Sequence, residues 1–317
     1  MFTLFIFRFV FLGLNMNFDR NYYVVKTIEI ERINNIEPEK FKKEYLQTHT
    51  PLIFRSFSND WEASTKWNFD FFRNYSGNIE VPVSGDWSKN NATQIDRGVD
   101  YKMTFNQFLD AIEKGPTEYR LFAFNLFKFQ PELKNDFSYP VFANRWVKMP
   151  FLFFGGEGSN VRLHYDFDNS DVFLTQFTGT KNITLFDPKY SNLLYRQPFT
   201  THSHLDISSD DFKKNPSYPY LEALIGKIEC GDTLFIPARF WHFIEYETGG
   251  FSLALRSLNQ SNLEVIKGAL TVTAFTQMDN LLGKLSSTKW SDYKLRKAKE
   301  KVEITLMTHY KYQSPSK

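Results

Sequence analysis

The chain has 317 residues, and its shares of 42% hydrophobic and 23% charged side chains exclude a collagen and a wholly disordered polymer. Thirty-eight basic side chains against 36 acidic ones leave a net charge of +2, which argues against a protein dedicated to nucleic-acid binding. The single cysteine excludes an internal disulfide and fits a reducing compartment, so we expect a cytoplasmic protein.

The chain begins with a short apolar stretch, MFTLFIFRFVFLGL. It is shorter than the roughly 20 residues that a helix needs to cross a bilayer, so we predict no stable membrane span. Residues 1–16 form an apolar leader with two interpretations. One is a start assigned too early or a hydrophobic tail, and the other is a membrane or export signal.

Residues 17–145 are predicted to form an α/β segment that packs on the part of the chain after it. Strands are predicted over 22–33 and 51–57, since both stretches are rich in β-branched and aromatic residues. Apolar residues at three- and four-residue steps predict helices over 38–47, 61–75 and 104–114. In the last helix Thr104 is a candidate N-cap, and Gly115 is a candidate stop.

After Trp146 the chain consists of short β-rich runs that Gly, Pro, Asp and Asn separate. Many short strands with turn signals indicate a sandwich or barrel. No helical pattern lies between the runs, which excludes a doubly wound parallel sheet. The runs are FLFFGG, VFLTQFTG, NITLFDP, LIGKIEC, DTLFIPA, HFIEYET and FSLALRSL.

Beyond Asn259 the pattern becomes helical, over 263–277 and 290–305. A pair of terminal helices cannot bury its apolar stripe on both sides, so we predict a homodimer through residues 263–305. The alternative is that these helices fold back onto the barrel. The stripe consists of Leu263, Ile266, Leu270, Phe275 and Met278, with Leu281 and Leu282 just beyond.

Two motifs carry the chemistry. In RLHYD, His164 and Asp166 are two residues apart and face the same side of a strand, so an imidazole and a carboxylate can converge. The second motif, GDTLFIP, combines a tight turn with a buried strand and leads to His242. Two imidazoles and one carboxylate with open positions form the facial triad of non-haem Fe(II) oxygenases. We therefore predict an iron site at these three residues.

The stretches GGEGSNVRLHYD, FLTQFTGTKNITLFDP and GDTLFIPARFWHFIE resemble the Jumonji-C and cupin-like hydroxylases, which use Fe(II), 2-oxoglutarate and dioxygen. Within that family the resemblance is to the asparaginyl hydroxylase of hypoxia-inducible factor and to the tRNA wybutosine hydroxylase. It implies a mainly β fold, the double-stranded β-helix or jelly roll, over 146–258, followed by a helical segment over 259–317. It places the metal triad on the same three residues. The asparaginyl hydroxylase dimerises through C-terminal helices, so the resemblance also favours the predicted homodimer.

The resemblance also implies residues for the cosubstrate. The family holds the distal carboxylate of 2-oxoglutarate with a lysine, and the matching residue is Lys181. Arg256 stands where relatives often have an asparagine; it could bind that carboxylate or pair with a structural acid. Asn169 and Asp171 are further candidates, in a segment that is longer than in the asparaginyl hydroxylase. Val161 stands where those relatives have a threonine, so the resemblance does not determine the identity of the substrate.

The predicted function is hydroxylation by an Fe(II)- and 2-oxoglutarate-dependent dioxygenase. The near-neutral net charge favours a protein or peptide side chain as the substrate over tRNA. A tRNA or small-molecule hydroxylase stays open, and so does a cupin-fold protein that binds metal without turnover. His202 and His204, in TTHSHLD, form a second possible metal pair, although a polar loop is the usual meaning of that pattern.

Overall fold

The computed structural model describes residues 26–55, 57–85 and 100–313. The apolar leader and the first part of the strand predicted over 22–33 lie outside these residues. In the part of the chain that is described, no helix is both long enough and apolar enough to span a bilayer.

The described residues form fourteen β-strands and seven α-helices. The strands are β1 (Lys26–Glu29), β2 (Arg32–Ile33), β3 (Leu52–Phe54), β4 (Glu80–Val83), β5 (Tyr101–Thr104), β6 (Arg120–Phe124), β7 (Trp146–Gly155), β8 (Asn160–His164), β9 (Asp171–Thr178), β10 (Lys181–Phe186), β11 (Glu222–Ile228), β12 (Thr233–Ile236), β13 (Trp241–Tyr246) and β14 (Gly250–Ser257). The helices are α1 (Pro38–Phe41), α2 (Ala63–Lys66), α3 (Phe69–Ser76), α4 (Phe105–Glu113), α5 (Asn262–Leu270), α6 (Thr276–Leu285) and α7 (Ser287–Gln313). Wider π-helical turns are Lys42–Leu46 and Thr271–Phe275, and short 3₁₀ turns are Leu126–Lys128, Pro131–Asp136, Pro188–Tyr190, Asp210–Lys214 and Tyr218–Tyr220.

Two sheets form the double-stranded β-helix that the resemblance implies. One has five strands in the order β1-β11-β10-β13-β8, and the other has seven in the order β2-β3-β12-β9-β14-β7-β6. The pairings are antiparallel except for β1 with β11 and β2 with β3. The strands alternate in direction without intervening helices, so the mainly β prediction is confirmed. The core between the sheets is aliphatic and includes Val172, Leu174, Ile183, Leu185, Leu234, Ile236 and Ala254.

Strands on both sides of residue 146 share the two sheets, because β1, β2, β3 and β6 all precede it. A second, aromatic core joins the same two parts of the chain. In it the rings of Phe57 and Phe173 stack with centroids 5.0 Å apart, and Phe41 meets Phe235 edge-on at 5.0 Å. Offset and edge-on aromatic pairs add to the free energy of burial. The residues before 146 therefore add strands to the larger sheet and pack against it through this aromatic core.

The predicted elements are largely present, with different bounds. All seven β-rich runs after Trp146 are strands. Thr104 caps α4 through a capping box with Gln107, which confirms that helix start. The helix predicted over 38–47 is one α-helical turn continued by a π-helical turn. The pattern missed β4, β5 and β6. Strands β4 and β5 are short and β4 contains a proline, so this pair carries little periodicity.

Candidate metal and cosubstrate site

Two buried histidines lie directly opposite each other on neighbouring strands. His164 ends β8, His242 is the second residue of β13, and the two are paired across the antiparallel ladder. Each Nδ1 lies within hydrogen-bond distance of a backbone carbonyl, of Arg162 at 2.8 Å and of Phe240 at 3.1 Å. A carbonyl can only accept, so Nδ1 donates in both rings and each Nε2 keeps a free lone pair. Burial lowers the pKa of His242 to about 4, so this imidazole is neutral at pH 7.

Asp166 supplies a carboxylate to the same point. It follows β8 by two residues, and its Oδ1 lies 3.9 Å from Nε2 of His164 and 4.0 Å from Nε2 of His242. Its other oxygen, Oδ2, accepts a hydrogen bond of 3.2 Å from Nη2 of Arg256. Burial is the largest single influence and raises the pKa of this carboxyl, but the electrostatic interactions with Arg256 and with His242, His164 and His202 together outweigh it and hold the pKa below its usual range. The carboxylate is therefore ionised, with Oδ1 turned towards the histidines.

The three side chains form a site that could hold a metal ion. One ligand atom from each of them lies within 4.8 Å of the other two. Two imidazole nitrogens and one carboxylate oxygen fit a divalent transition metal and leave positions open for further ligands. The residues predicted from the sequence are thus brought together by the fold.

The second histidine pair lies beside this site and does not join it. The His202 ring stacks on that of His164 with centroids 5.2 Å apart, and its Nδ1 is 3.1 Å from Oγ1 of Thr200. Nε2 of His204 is buried without a hydrogen-bond partner. Burial and the positive charge of Arg162 lower the pKa of His204 to about 4. Within the described residues, the metal-ligand cluster contains neither of them.

Lys181 places an ammonium group between the two sheets. A two-residue turn precedes it, in which Gly179 has a φ of 75°, a left-handed value that favours glycine. The Lys181 Nζ donates to Oγ of Ser252, which in turn donates to Oε1 of Gln176 at 2.5 Å. It also lies 4.3 Å from the centre of the Tyr246 ring.

This lysine is 1% exposed and, among the described residues, forms no ion pair with a carboxylate. Burial lowers its pKa to about 7. A cation buried without a negative partner is unfavourable, so the site suits an anionic ligand that restores the charge balance.

Two of the other predicted cosubstrate residues, Arg256 and Asn169, already have protein partners. Arg256 lies 3.2 Å from Oδ2 of Asp166 and 3.8 Å from Oδ2 of Asp168. Asn169 is buried, has a φ of 52°, and donates from Nδ2 to the backbone oxygen of Glu264 at 3.2 Å. The role of these two residues in binding the cosubstrate stays a prediction. The arginine is placed to orient the Asp166 carboxylate.

Sequence analysis did not identify the polar residues around Lys181. Ser252 and Gln176 are fully buried polar side chains, paired with each other across β14 and β9. A polar residue on the inward face of a buried strand is the signal that could have found them, because such groups need an internal partner. Tyr246 carries no such signal, since a tyrosine is ordinary in a strand.

A family model for the cupin-like domain matches residues 38–261, which is more than half of the chain. This chain belongs to the cupin-like domain family. The resemblance to Jumonji-C and cupin-like proteins is thereby confirmed, and the matched range contains both strands of the histidine pair and the lysine.

Curated relatives of this cupin-like protein carry several names. JmjC domain-containing protein D of Dictyostelium discoideum is 25% identical over 250 residues, covering 68% of this chain and 53% of that protein. Lysine-specific demethylase 8 of Danio rerio is 27% identical over 259 residues, covering 72% and 58%. tRNA wybutosine-synthesizing protein 5 of Mus musculus is 25% identical over 243 residues, covering 70% and 76%. The chain thus spans little more than half the length of the first two relatives.

Proposed function

We propose that this chain is an Fe(II)- and 2-oxoglutarate-dependent dioxygenase that hydroxylates a side chain of a protein or peptide. The observation that supports it is the pairing of two features inside one barrel. One is the two-histidine, one-carboxylate cluster, which is the ligand set of non-haem Fe(II) oxygenases. The other is a buried lysine without a carboxylate partner among the described residues, suited to a dicarboxylate cosubstrate.

In this proposal each side chain has one task. His164 and His242 would hold Fe(II) through Nε2, and Asp166 would hold it through Oδ1 while Arg256 keeps Oδ2 occupied. Lys181 would bind the distal carboxylate of 2-oxoglutarate. When bound, the iron and 2-oxoglutarate supply the oxidising chemistry: dioxygen is consumed, 2-oxoglutarate becomes succinate and carbon dioxide, and one oxygen atom enters a substrate C–H bond.

The choice of a protein substrate rests on charge. The chain has a net charge of +2 and lacks the strongly basic balance that RNA-binding domains use. Its long terminal helix is basic, but some of those charges are paired, as where Lys297 lies 2.7 Å and Arg296 lies 3.9 Å from Glu300. One relative is named for lysine demethylation and another for tRNA wybutosine synthesis, so RNA is the class against which the proposal must be tested.

The experiment measures succinate release by the purified full chain with Fe(II), 2-oxoglutarate and dioxygen. Release without any added substrate, lost when Fe(II) or 2-oxoglutarate is omitted, would distinguish an oxygenase from a metal-binding protein without turnover. A pool of tryptic peptides and a pool of bulk tRNA are then added separately. We expect the peptide pool to accelerate release and to gain peptides heavier by one oxygen atom. Acceleration by tRNA alone would overturn the proposal of a protein substrate. Absence of succinate release under every condition would overturn the proposal that the chain is an enzyme.

We also propose that the active form is a homodimer through the C-terminal helices. Residues along α5, the turn after it and α6 leave large apolar side chains in solvent, with exposed fractions from 36% to 73%. Contiguous apolar surface of that kind is typical of an interface between subunits. The side chains are Leu263, Ile266, Leu270, Val272, Phe275, Met278, Leu281 and Leu285.

A further inference from the structure

Helix α5 begins at Asn262, one residue after the part of the chain that the cupin-like family model matches. It nevertheless touches two segments that lie beside candidate metal ligands. One segment, residues 166–170, contains Asp166 and connects β8 to β9; the other, residues 237–241, precedes His242. We call them the aspartate segment and the proline segment.

The helix backbone rests directly on the aspartate segment at Gly268. A Cβ atom at this position would lie 2.2 Å from the backbone oxygen of Asp168 and 2.5 Å from its carbonyl carbon. Those atoms are backbone, so they cannot move aside as the end of a side chain can. Only glycine permits this approach, two residues from the candidate ligand Asp166.

Glu264, one turn earlier in the helix, joins both segments. Its backbone oxygen accepts from Nδ2 of Asn169 at 3.2 Å, in the aspartate segment. Its Oε2 lies 3.5 Å from Nη1 of Arg239, in the proline segment, where Arg239 has a left-handed φ of 66°. Lys267 lies 2.7 Å from its Oε1. The same Oε2 also accepts from Nδ2 of Asn169 at 3.4 Å, so one side chain of α5 bridges the segments beside two of the three candidate ligands.

We propose that Gly268 and Glu264 are positioning residues, through which α5 holds the aspartate and proline segments at the spacing that metal binding requires. The inference rests on the metal site of the proposed function and extends it beyond the cupin-like domain. Groups that orient metal ligands change affinity when they are lost, even though they never touch the ion.

The test compares two Gly→Ala variants of the full chain in their affinity for Mn(II), measured by calorimetry. Gly268→Ala should weaken Mn(II) binding by about 10-fold or more, the usual effect of losing a group that orients a ligand. Gly283→Ala, in α6, is the matched control, because its Cβ would meet only Cδ1 of Trp290 in α7, at 3.9 Å. Alanine favours a helix over glycine, so the control should keep its affinity and its melting temperature.

A second pair separates positioning from a general loss of stability. Glu264→Ala removes the carboxylate that faces Arg239, whereas Glu264→Gln keeps an oxygen acceptor in the same place. We expect weaker Mn(II) binding and an altered Co(II) absorption spectrum in Glu264→Ala, with both largely restored in Glu264→Gln. This pair also decides the matter if Gly268→Ala does not fold. The inference is overturned if the folded Gly268→Ala or Glu264→Ala protein binds Mn(II) like the unaltered chain. If the unaltered chain binds no Mn(II), the metal site of the proposed function is overturned, and the inference with it.

Discussion

The ammonium of Lys181 lies in the interior of the barrel with a serine hydroxyl, an aromatic ring and no carboxylate among the described residues. Desolvation of that charge lowers the pKa of the lysine to about 7. Its burial therefore opposes folding, and a bound anion would offset that cost. In the proposed function, ligand binding and stability therefore have opposite requirements at this residue, as they often do at binding sites.

Replacing Lys181 with methionine should separate those requirements. Lys181→Met removes a buried charge and keeps most of the volume, so the ligand-free chain should unfold at equal or higher urea concentration, with a gain of up to about 1–3 kcal/mol. Binding of 2-oxoglutarate to the Mn(II)-loaded chain should become undetectable by calorimetry. Lower stability together with unchanged 2-oxoglutarate affinity would contradict the assignment.

The same pKa predicts how 2-oxoglutarate binding depends on pH. The carboxylate needs the protonated lysine, and with a pKa of about 7 the free site loses that proton as pH rises through neutrality. Affinity should fall roughly tenfold per pH unit above about pH 7, with proton uptake on binding. The ligand-free chain should gain stability as pH rises from about 7 towards 10.5, the ordinary pKa of lysine, because the unfolded chain then binds the extra proton.

Calorimetry at saturating Mn(II), in two buffers of different ionisation enthalpy, measures both the affinity and the proton uptake. Lys181→Arg is the matched variant, since a guanidinium keeps its charge throughout this pH range. If it binds 2-oxoglutarate, its affinity should not depend on pH in this way. A flat profile for the unaltered chain would show that the lysine is already charged without ligand.

Asp166 tests the metal site itself. Asp166→Ala should abolish Mn(II) binding and, with it, the stabilisation that the metal gives, which is about 2.7 kcal/mol when the metal is at 100 times its Kd. The metal-free fold should persist, because Arg256 keeps Asp168 as a partner at 3.8 Å. Asp210→Ala is the control, a nearly fully exposed aspartate on a surface turn. If Asp166→Ala binds Mn(II) with unchanged affinity, the assignment of the three metal ligands is wrong.

At the scale of secondary-structure elements, the site depends on a register. Strands β8 and β13 pair His164 with His242, and the ladder shifts by one residue before Ile244 pairs with Val161. Such a bulge re-aims side chains near a functional site. The two histidines therefore face one another because of hydrogen bonding between strands that are far apart in the sequence.

A buried ion pair joins helices α6 and α7. Its lysine has a carboxylate partner, whereas Lys181 has none among the described residues. Lys294 is 1% exposed and its Nζ lies 2.9 Å from Oδ1 of Asp279, to which Trp290 also donates at 2.9 Å. Lys294→Met should lower the free energy of unfolding by about 3–5 kcal/mol, because it leaves the aspartate charge buried. Urea unfolding beside Lys181→Met measures the difference, and equal effects of the two substitutions would refute the contrast.

At the scale of the whole molecule, the C-terminal helices have one face on the barrel and one in solvent. Ala298 and Val302 of α7 pack on Tyr195, while Leu281 and Leu285 are 59% and 73% exposed. The helices can therefore fold back onto the barrel and also form a dimer, because different faces of the helices make the two contacts.

Light scattering on the full chain should give twice the monomer mass of 37.4 kDa at micromolar concentration. Leu281→Lys combined with Leu285→Lys should give a monomer, because charges in an apolar interface lose their hydration. Val141→Lys places the same charge on another exposed apolar residue and should leave the dimer intact. A monomeric unaltered chain would refute the dimer.

The sequence by itself determined the β-rich runs, the cap of α4 and the three candidate metal ligands. Each depends on information within a few residues: the alternation of side chains in a strand, the reach of Thr104 to Gln107, and the spacing of His164 and Asp166. The jelly-roll topology came from resemblance, because short runs alone indicated only a sandwich or barrel.

The tertiary structure alone decided the surroundings of these residues. Arg256 reaches Asp166, Lys181 reaches Ser252, and Gly268 rests on Asp168 only because strands and helices distant in sequence are packed together. Local patterns report which face of an element is apolar, but they do not report what that face meets. The partners of a buried charge follow from long-range packing, and these partners determine its pKa and its availability to a ligand.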